Sequence, residues 1–183
     1  MDKKLLKNLI ENYRTPFEEE KAFLPDFLVL LEDPLAFSRE RKSGHFTASS
    51  WIVNKRRTHT LLTLHQKLQK WLQLGGHADG NENLLEVAMN EAREESGLTS
   101  LRMVDRFIFD IDCHIIPANQ EDARHFHYDV RFLLEAEMNE PLVISPESKA
   151  LAWVSFEMAS ELVGHNSSIL RMLEKTSKSE ILL

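Results

Sequence analysis

The chain has 183 residues, of which 43% are hydrophobic and 28% charged, so it can bury the core of one domain and lacks the composition of a disordered protein. Its 22 basic and 29 acidic side chains give a formal net charge of −7, which disfavours binding to nucleic acid or acidic membranes, so we expect metal ions to mediate any contact with a polyanion. The single cysteine, Cys113, excludes an internal disulfide. Because the sequence shows no secretory signal pattern and no apolar run of roughly 18 residues, we expect a cytoplasmic protein.

Residues 1–40 are predicted to form two helices separated by a turn. In the first helix, Leu6 and Ile10 belong to one apolar stripe of helical period. The second follows the apolar run Phe17–Leu31, in which Pro25 is expected to break the helix because proline lacks the N–H that a helix interior uses. The sequence leaves three roles open for this segment: capping a sheet, shaping a substrate pocket or mediating a homodimer.

Strand-like runs begin at His45. The runs His45–Asn54 and Thr58–His65 are predicted to pair as a hairpin around the basic turn Lys55-Arg56-Arg57. Trp71–Gly76 is a further extended piece that ends in a Gly-Gly turn.

The segment Asn83–Ser96 is predicted to be a helix, and Gly97 suits the position after its end. Its apolar residues recur with helical spacing and define one buried face: Leu85, Ala88, Met89 and Ala92.

Two long runs, Phe107–Ile115 and His125–Glu135, alternate between apolar and polar residues as half-buried strands do. Phe107, Phe109, Ile111 and Cys113 are predicted to share one face of the first strand. The polar face of the first strand carries Asp110, Asp112 and His114, and that of the second carries His125, His127, Asp129 and Arg131.

A short strand, Leu151–Ser155, is predicted to lead into closing helices at Phe156–Val163 and Ser167–Lys175. Strands interleaved with a central helix and closing helices favour the α/β class, with a mixed sheet between helices.

Three glutamates of the predicted central helix, Glu91, Glu94 and Glu95, stand at positions i, i+3 and i+4 and therefore share a face. Like charges at this spacing repel, and a divalent cation with oxygen ligands would relieve the repulsion. A solvated acidic face is the alternative interpretation. The Gly75-Gly76 turn, which permits close approach of the backbone to a ligand, favours the cation site.

This segment resembles the signature of the Nudix hydrolase family, in which Gly, five residues, Glu and seven residues precede Arg-Glu-apolar-any-Glu-Glu-any-Gly-apolar. The positions that match are Gly76, Glu82, Glu91, Ala92, Glu94, Glu95, Gly97 and Leu98. One position departs, because Asn90 stands where the signature has arginine. Asparagine offers hydrogen bonds but no ion pair, so this departure bears on the catalytic rate more than on membership of the family.

The resemblance runs from about His45 to Val163 and implies the Nudix α/β/α sandwich, with a mixed β-sheet between helices. It divides the chain into an N-terminal helical extension, residues 1–40, and a hydrolase domain, residues 41–183. It also implies hydrolysis of a diphosphate linkage in a nucleoside diphosphate derivative or a related small molecule. Nucleotide sugars, dinucleoside polyphosphates and damaged nucleoside triphosphates all stay open as substrates.

The same resemblance implies a catalytic site that depends on Mg²⁺ or Mn²⁺. The implied metal ligands are the carbonyl oxygen of Gly76 and the carboxylates of Glu91, Glu94 and Glu95, with Glu82 in support. Glu147, six residues before Trp153, is one candidate for the general base, and Glu91 or Glu94 is its rival. An ordinary exposed loop carboxylate is the alternative interpretation of Glu147.

A second, local similarity is to type 1 isopentenyl-diphosphate isomerase. Its residues here are His45, Ser49-Ser50-Trp51 and Asn54, then Gly75-Gly76-His77, then His127, Asp129 and Val130. The similarity implies a second metal site formed by His45, His77, His127 and Asp129. The alternative is that these histidines hydrogen-bond substrate or one another. The catalytic cysteine of the isomerase falls on Gly75, and Cys113 is expected in the core, so isomerase chemistry is disfavoured.

Three further residues are candidates for phosphate contact. His65 and Lys67 end the predicted return strand and have the alternative of being exposed turn residues. Arg131 is predicted to pair with Asp129 in preference to phosphate. A binding module without turnover is the remaining alternative to a hydrolase, because Asn90 departs from the signature.

Overall fold

A computed structural model describes residues 1–118 and 123–179. The helices are α1 (Lys3–Glu11), α2 (Glu18–Leu31), α3 (Leu84–Ser96), α4 (Phe156–Val163) and α5 (Ser167–Ser179). In the described ranges, no helix is long and apolar enough to cross a membrane.

Eight strands form one sheet in the described part of the chain. They are β1 (Gly44–Asn54), β2 (His59–His65), β3 (Trp71–Leu72), β4 (Leu74–His77), β5 (Arg102–Met103), β6 (Asp110–Ile116), β7 (His125–Ala136) and β8 (Ser148–Ser155). The strand order is β3-β2-β1-β7-β5, while β4 pairs with β1, β6 with β7 and β8 with β2. The predicted α/β class is confirmed.

The first of two compact units comprises residues 1–49, 75–88 and 106–132. Its core joins the N-terminal helices to the strands, because Leu6 and Phe27 are fully buried in one cluster with Phe46 and Ile111. The Phe27 ring meets the Phe46 ring edge-on at 5.8 Å between centroids. The N-terminal helices therefore share the hydrophobic core of the strands they pack against.

A buried carboxylate, Glu20, ties α2 to β6. Glu20 is fully buried, and its Oε1 accepts hydrogen bonds from the Tyr13 hydroxyl at 2.6 Å and from the backbone N–H of Ile111 at 3.2 Å. Its Oε2 accepts from the Thr15 hydroxyl. These bonds satisfy a carboxylate that would otherwise be costly to bury, and they fix the N-terminal segment against a strand.

The second unit comprises residues 50–74, 89–105 and 133–183. Antiparallel pairing of β2 with β8 runs from His59↔Ser155 to His65↔Ser148 with one irregularity. Ile52 and Leu61 are buried in its hydrophobic cluster. The indole N–H of Trp51 donates to the Thr176 hydroxyl on α5 at 2.8 Å, which anchors the last helix.

Three sequence-based expectations need correction. Helix α2 continues through Pro25, because its buried residues after the proline hold it in the core and offset the one missing backbone bond. The piece Trp71–Gly76 is extended as predicted, but the expected Gly-Gly turn is wrong, because Gly75 and Gly76 lie inside β4. Strand β6 begins only at Asp110, so Phe107 lies outside it and is 67% exposed instead of sharing a buried face.

Candidate active site and metal centre

Helix α3, which carries the signature glutamates, begins and ends with local caps. The Asn83 side chain accepts from the backbone N–H of Glu86 at 3.3 Å and donates to the Glu86 carboxylate at 3.0 Å, a reciprocal capping pair. Gly97 follows the helix with φ +72°, a conformation that side chains rarely adopt. The predicted helix is confirmed, and its ends fix where the glutamates fall.

The three signature glutamates share a face of α3, as their spacing requires. Glu94 is exposed, and Glu91 and Glu95 are half-buried. In the described ranges, no group of three or more donor atoms at metal-ligand spacing includes these carboxylates. Their oxygen donors are the type that Mg²⁺ and Mn²⁺ take, so the residues present fit such an ion.

The other residues of the predicted hydrolase site lie in loops, on α3 and on β4. Glu82 is exposed in the loop before α3, and Asn90 is exposed on α3 itself. Gly76 lies within β4, directly before His77. Glu147 is exposed just before β8, where its carbonyl oxygen accepts from the Gln66 N–H at 2.7 Å.

His65, a candidate for phosphate contact, orders the turn after β2. Its ring Nδ1 accepts from the backbone N–H groups of Lys67 and Leu68, both at 3.2 Å. Lys67 is exposed in the same turn. The geometry favours the turn interpretation for His65, because its Nδ1 is already occupied.

Five histidines meet in the first unit, on strands β1, β4, β6 and β7. The ring centroid of His45 lies 5.3 Å from that of His77 and 5.1 Å from that of His127. The centroids of His77 and His127 lie 4.8 Å apart. One ring nitrogen from each of these three lies within 4.8 Å of the other two. The structure therefore brings together the three predicted histidine ligands.

His114 and His125 complete the group around His127. The His125 ring stacks on His45 at 5.2 Å, and the His114 centroid lies 5.5 Å from His127. Sequence reasoning placed both on the polar strand faces but did not assign them to the site. The signal that identifies His114 is the pairing of β6 with β7, which sets it directly opposite His127.

Burial keeps His45, His77 and His127 neutral. Burial is the main cause that lowers the pKa of His77 to about 4 and that of His127 to about 2, and neighbouring cationic or histidine groups add to both shifts. Burial also lowers the pKa of His45. Near pH 7 these rings are therefore the neutral bases that metal ions bind.

Asp129, predicted as a fourth ligand, belongs to a buried hydrogen-bond network. It accepts from the Thr47 hydroxyl at 3.0 Å, from the Ser49 hydroxyl at 2.9 Å and from Arg131 Nε at 2.8 Å. In the described ranges, it is not grouped with the three histidines at ligand spacing. The predicted pairing of Asp129 with Arg131 is confirmed, and the assignment of Asp129 as a fourth ligand stays a prediction.

Arg131 is the centre of a carboxylate cluster that the sequence did not reveal. Its guanidinium is 2% exposed and also lies 3.2 Å from carboxylate oxygens of both Asp110 and Asp112. The register pairs Asp110 with Arg131 and Asp112 with Asp129. A guanidinium buried among three carboxylates is not accessible to phosphate from solvent, so the alternative of phosphate contact by Arg131 is disfavoured.

The position of the isomerase cysteine has no room for a side chain. A Cβ on Gly75 would lie 2.6 Å from the Ala48 carbonyl oxygen and closer still to the Ser49 hydroxyl. Cys113 packs against the core of the first unit, and burial raises the pKa of its thiol to about 11, which disfavours the nucleophilic thiolate. The structure therefore offers no isomerase nucleophile at either position.

Comparison with known proteins gives a consistent result. The family model described as NUDIX domain matches residues 45–175. A NUDIX-family hydrolase from Clostridium perfringens is 26% identical, with a TM-score of 0.56 over 76% of this chain and 98% of that one. No curated protein matches this chain.

Two other solved structures are similar in fold. The C. elegans Ap4A hydrolase, in a binary complex, is 17% identical, with a TM-score of 0.60 over 75% of this chain and 98% of that one. The MutT protein from Methanosarcina mazei Go1 is 18% identical, with a TM-score of 0.55 over 76% of this chain and 97% of that one.

Proposed function

Because this chain belongs to the Nudix family, we propose that it is a hydrolase that cleaves a diphosphate linkage in a nucleoside diphosphate derivative or a related small molecule, with Mg²⁺ or Mn²⁺ as cofactor. The observation that carries the proposal is the set of three glutamates on one face of the capped helix α3. We also propose that the protein works in the cytoplasm, without nucleic acid or membranes, and that a homodimer is one role for residues 1–40.

The role of each residue is the one that the family resemblance implies, and the oxygen donors present are compatible with it. Glu91, Glu94 and Glu95, with the Gly76 carbonyl, would hold the metal, and Glu82 would support them. When bound, the metal neutralises charge on the diphosphate and makes water more acidic. An exposed carboxylate of this chain then takes the proton of the attacking water; Glu94 and Glu147 are both exposed and suited to that step.

The test is a release screen for phosphate and nucleotide. The purified protein is incubated with nucleoside triphosphates, nucleotide sugars and dinucleoside polyphosphates, in the presence of Mg²⁺ or Mn²⁺. Metal-dependent turnover that Glu94→Gln abolishes supports the proposal. The matched control is Glu161→Gln, an exposed glutamate on α4, which should leave turnover unchanged.

One observation keeps a second function in view. Asn90 occupies the arginine position of the signature and is exposed on α3. A binding module without turnover would raise its melting temperature with a nucleotide ligand while releasing no product. Turnover by the wild type on any member of the panel excludes this alternative.

A further inference from the structure

The histidine cluster, formed by His45, His77 and His127, has the geometry of a metal centre. Its three donors come from β1, β4 and β7, so strands and not a loop hold the imidazoles. Their nearest ring nitrogens all lie within 4.8 Å. Nitrogens around a tetrahedral ion at about 2.0–2.1 Å lie roughly 3.4 Å apart, so each pair of nitrogens has to approach by no more than about 1.4 Å to share one ion.

His45 supplies a lone pair that nothing else in the described structure uses. Its Nδ1 lies 3.4 Å from the Arg41 carbonyl oxygen, which can only accept a hydrogen bond. The proton of the neutral ring therefore belongs on Nδ1, and Nε2 carries the lone pair. His45 is 4% exposed, and its Nε2 is buried without a hydrogen-bond partner. A buried, unpaired base is costly unless something binds it.

The hydrogen bonding of His45 is typical of a metal-binding histidine. Metal-binding histidines usually donate their second ring N–H to a carbonyl or a carboxylate, which fixes the tautomer. The Arg41 carbonyl performs this role for His45. His125, which is not one of the three proposed ligands, donates its Nδ1 hydrogen to the Ala123 carbonyl oxygen at 2.8 Å, and its Nε2 lies 3.2 Å from His127 Nε2.

Buried hydrogen bonds of Asp129 hold the strands that carry His45 and His127 in register. Asp129 follows His127 by two residues on β7, and its carboxylate accepts from Thr47 and Ser49 on β1, the strand that carries His45. These bonds fix the strand of His127 against the strand of His45. Small errors in ligand placement weaken a metal site, so such support favours a preorganised centre.

The donor set selects the metal. Three neutral imidazoles suit borderline ions such as Zn²⁺ or Co²⁺, whereas Mg²⁺ requires oxygen ligands. We propose that His45, His77 and His127 form a binding site for a divalent transition-metal ion of the Zn²⁺ class, which differs in donor type from the oxygen-donor site proposed on α3. Three protein ligands leave a fourth position for water or for a ligand oxygen, as in catalytic zinc sites.

The experiment measures metal content directly. The full-length protein is stripped with chelator, loaded with Zn²⁺, dialysed against excess Mg²⁺ and analysed by plasma mass spectrometry. We expect one bound Zn²⁺ per chain in the wild type and a loss of binding of about 100-fold or more in His77→Asn. His165→Gln, an exposed histidine outside the cluster, is the matched control and should retain the ion.

Two variants separate this proposal from the hydrolase proposal. Glu94→Gln should retain the Zn²⁺ while losing Mg²⁺-dependent turnover. Failure of the wild type to bind Zn²⁺, or loss of Zn²⁺ from Glu94→Gln, overturns the histidine site and leaves the hydrolase proposal intact. Absence of turnover in a wild type that binds Zn²⁺ normally overturns the hydrolase proposal and leaves the histidine site intact.

A second measurement keeps the proposal testable in case His77→Asn does not fold. Cobalt bound to nitrogen ligands absorbs visible light, so Co²⁺ added to the stripped wild type should produce coloured bands that Zn²⁺ displaces. Imidazole nitrogen resonances of the clustered histidines should shift on Zn²⁺ binding, while those of His59 and His165 should not. Shifts confined to histidines outside the cluster would overturn the proposal.

Discussion

The glutamate face of α3 and the histidine cluster are both suited to cations, but they are built in opposite ways. The glutamates come from one turn of one helix, include an exposed member and offer oxygen. The histidines come from strands far apart in the sequence, are largely buried and offer nitrogen. A charged oxygen site near solvent suits a polyanionic substrate that comes and goes, whereas a buried nitrogen site suits an ion that stays.

The largest effect is expected from replacing Glu94 on the glutamate face of α3. Replacing it with glutamine removes a carboxylate that can bind metal or take a proton, so turnover should fall by about 10²–10⁴-fold. The measurement is Mg²⁺-dependent product release at saturating substrate. Turnover that survives in Glu94→Gln and fails in Glu147→Gln would instead assign the proton transfer to the loop.

The buried ion pairs of Arg131 should be sensitive to substitution of that residue. Arg131→Met leaves Asp110, Asp112 and Asp129 without their shared cation, and breaking a buried ion pair costs about 3–5 kcal/mol. Urea unfolding of the metal-free protein measures the loss. The control is Arg102→Met, which breaks the ion pair of a solvent-exposed arginine with Glu135 and should destabilise the protein far less.

The metal-free histidine cluster should make stability depend on pH in one direction. The pKa of His77 is lowered to about 4, chiefly by burial, from an ordinary value of 6.5. Between these values the unfolded chain binds a proton that the folded chain does not, so the free energy of unfolding falls as pH drops from 6.5 towards 4. The contribution is on the order of 2 kcal/mol. In chelator, His77→Asn should flatten this part of the profile relative to His165→Gln.

The smallest expected effect concerns the departure from the family signature. Asn90→Arg restores a charged partner for a neighbouring carboxylate, and one charge-assisted hydrogen bond corresponds to about a tenfold change in rate. We therefore expect kcat/KM to rise by up to about tenfold, with Zn²⁺ content unchanged. A fall in kcat/KM would mean that the site is adapted to asparagine.

What the sequence could predict depended on how locally each feature is encoded. The glutamates lie within one helix, so their spacing alone predicted a shared face. The alternation of β7 predicted that His127, Asp129 and Arg131 lie on one face, whereas the register that sets Asp112 and His114 opposite them comes from the structure.

Features that depend on pairing between distant segments were not predictable in the same way. The hydrogen bonds from Thr47 and Ser49 to Asp129 join β1 to β7. No periodicity in the sequence indicates that these two hydroxyls bind that carboxylate. Glu20 likewise bonds to the backbone of Ile111, far along the chain. Pro25 was misjudged because local propensity ignores the burial that holds α2 together.

The central claim is that two chemically distinct cation sites exist in one chain. The most direct measurement determines Zn²⁺ content and Mg²⁺-dependent diphosphate hydrolysis on the same preparation of Glu94→Gln, beside the wild type. The account predicts that hydrolysis is lost while one Zn²⁺ per chain remains. Loss of both properties together, in a variant that keeps its melting temperature, would contradict it.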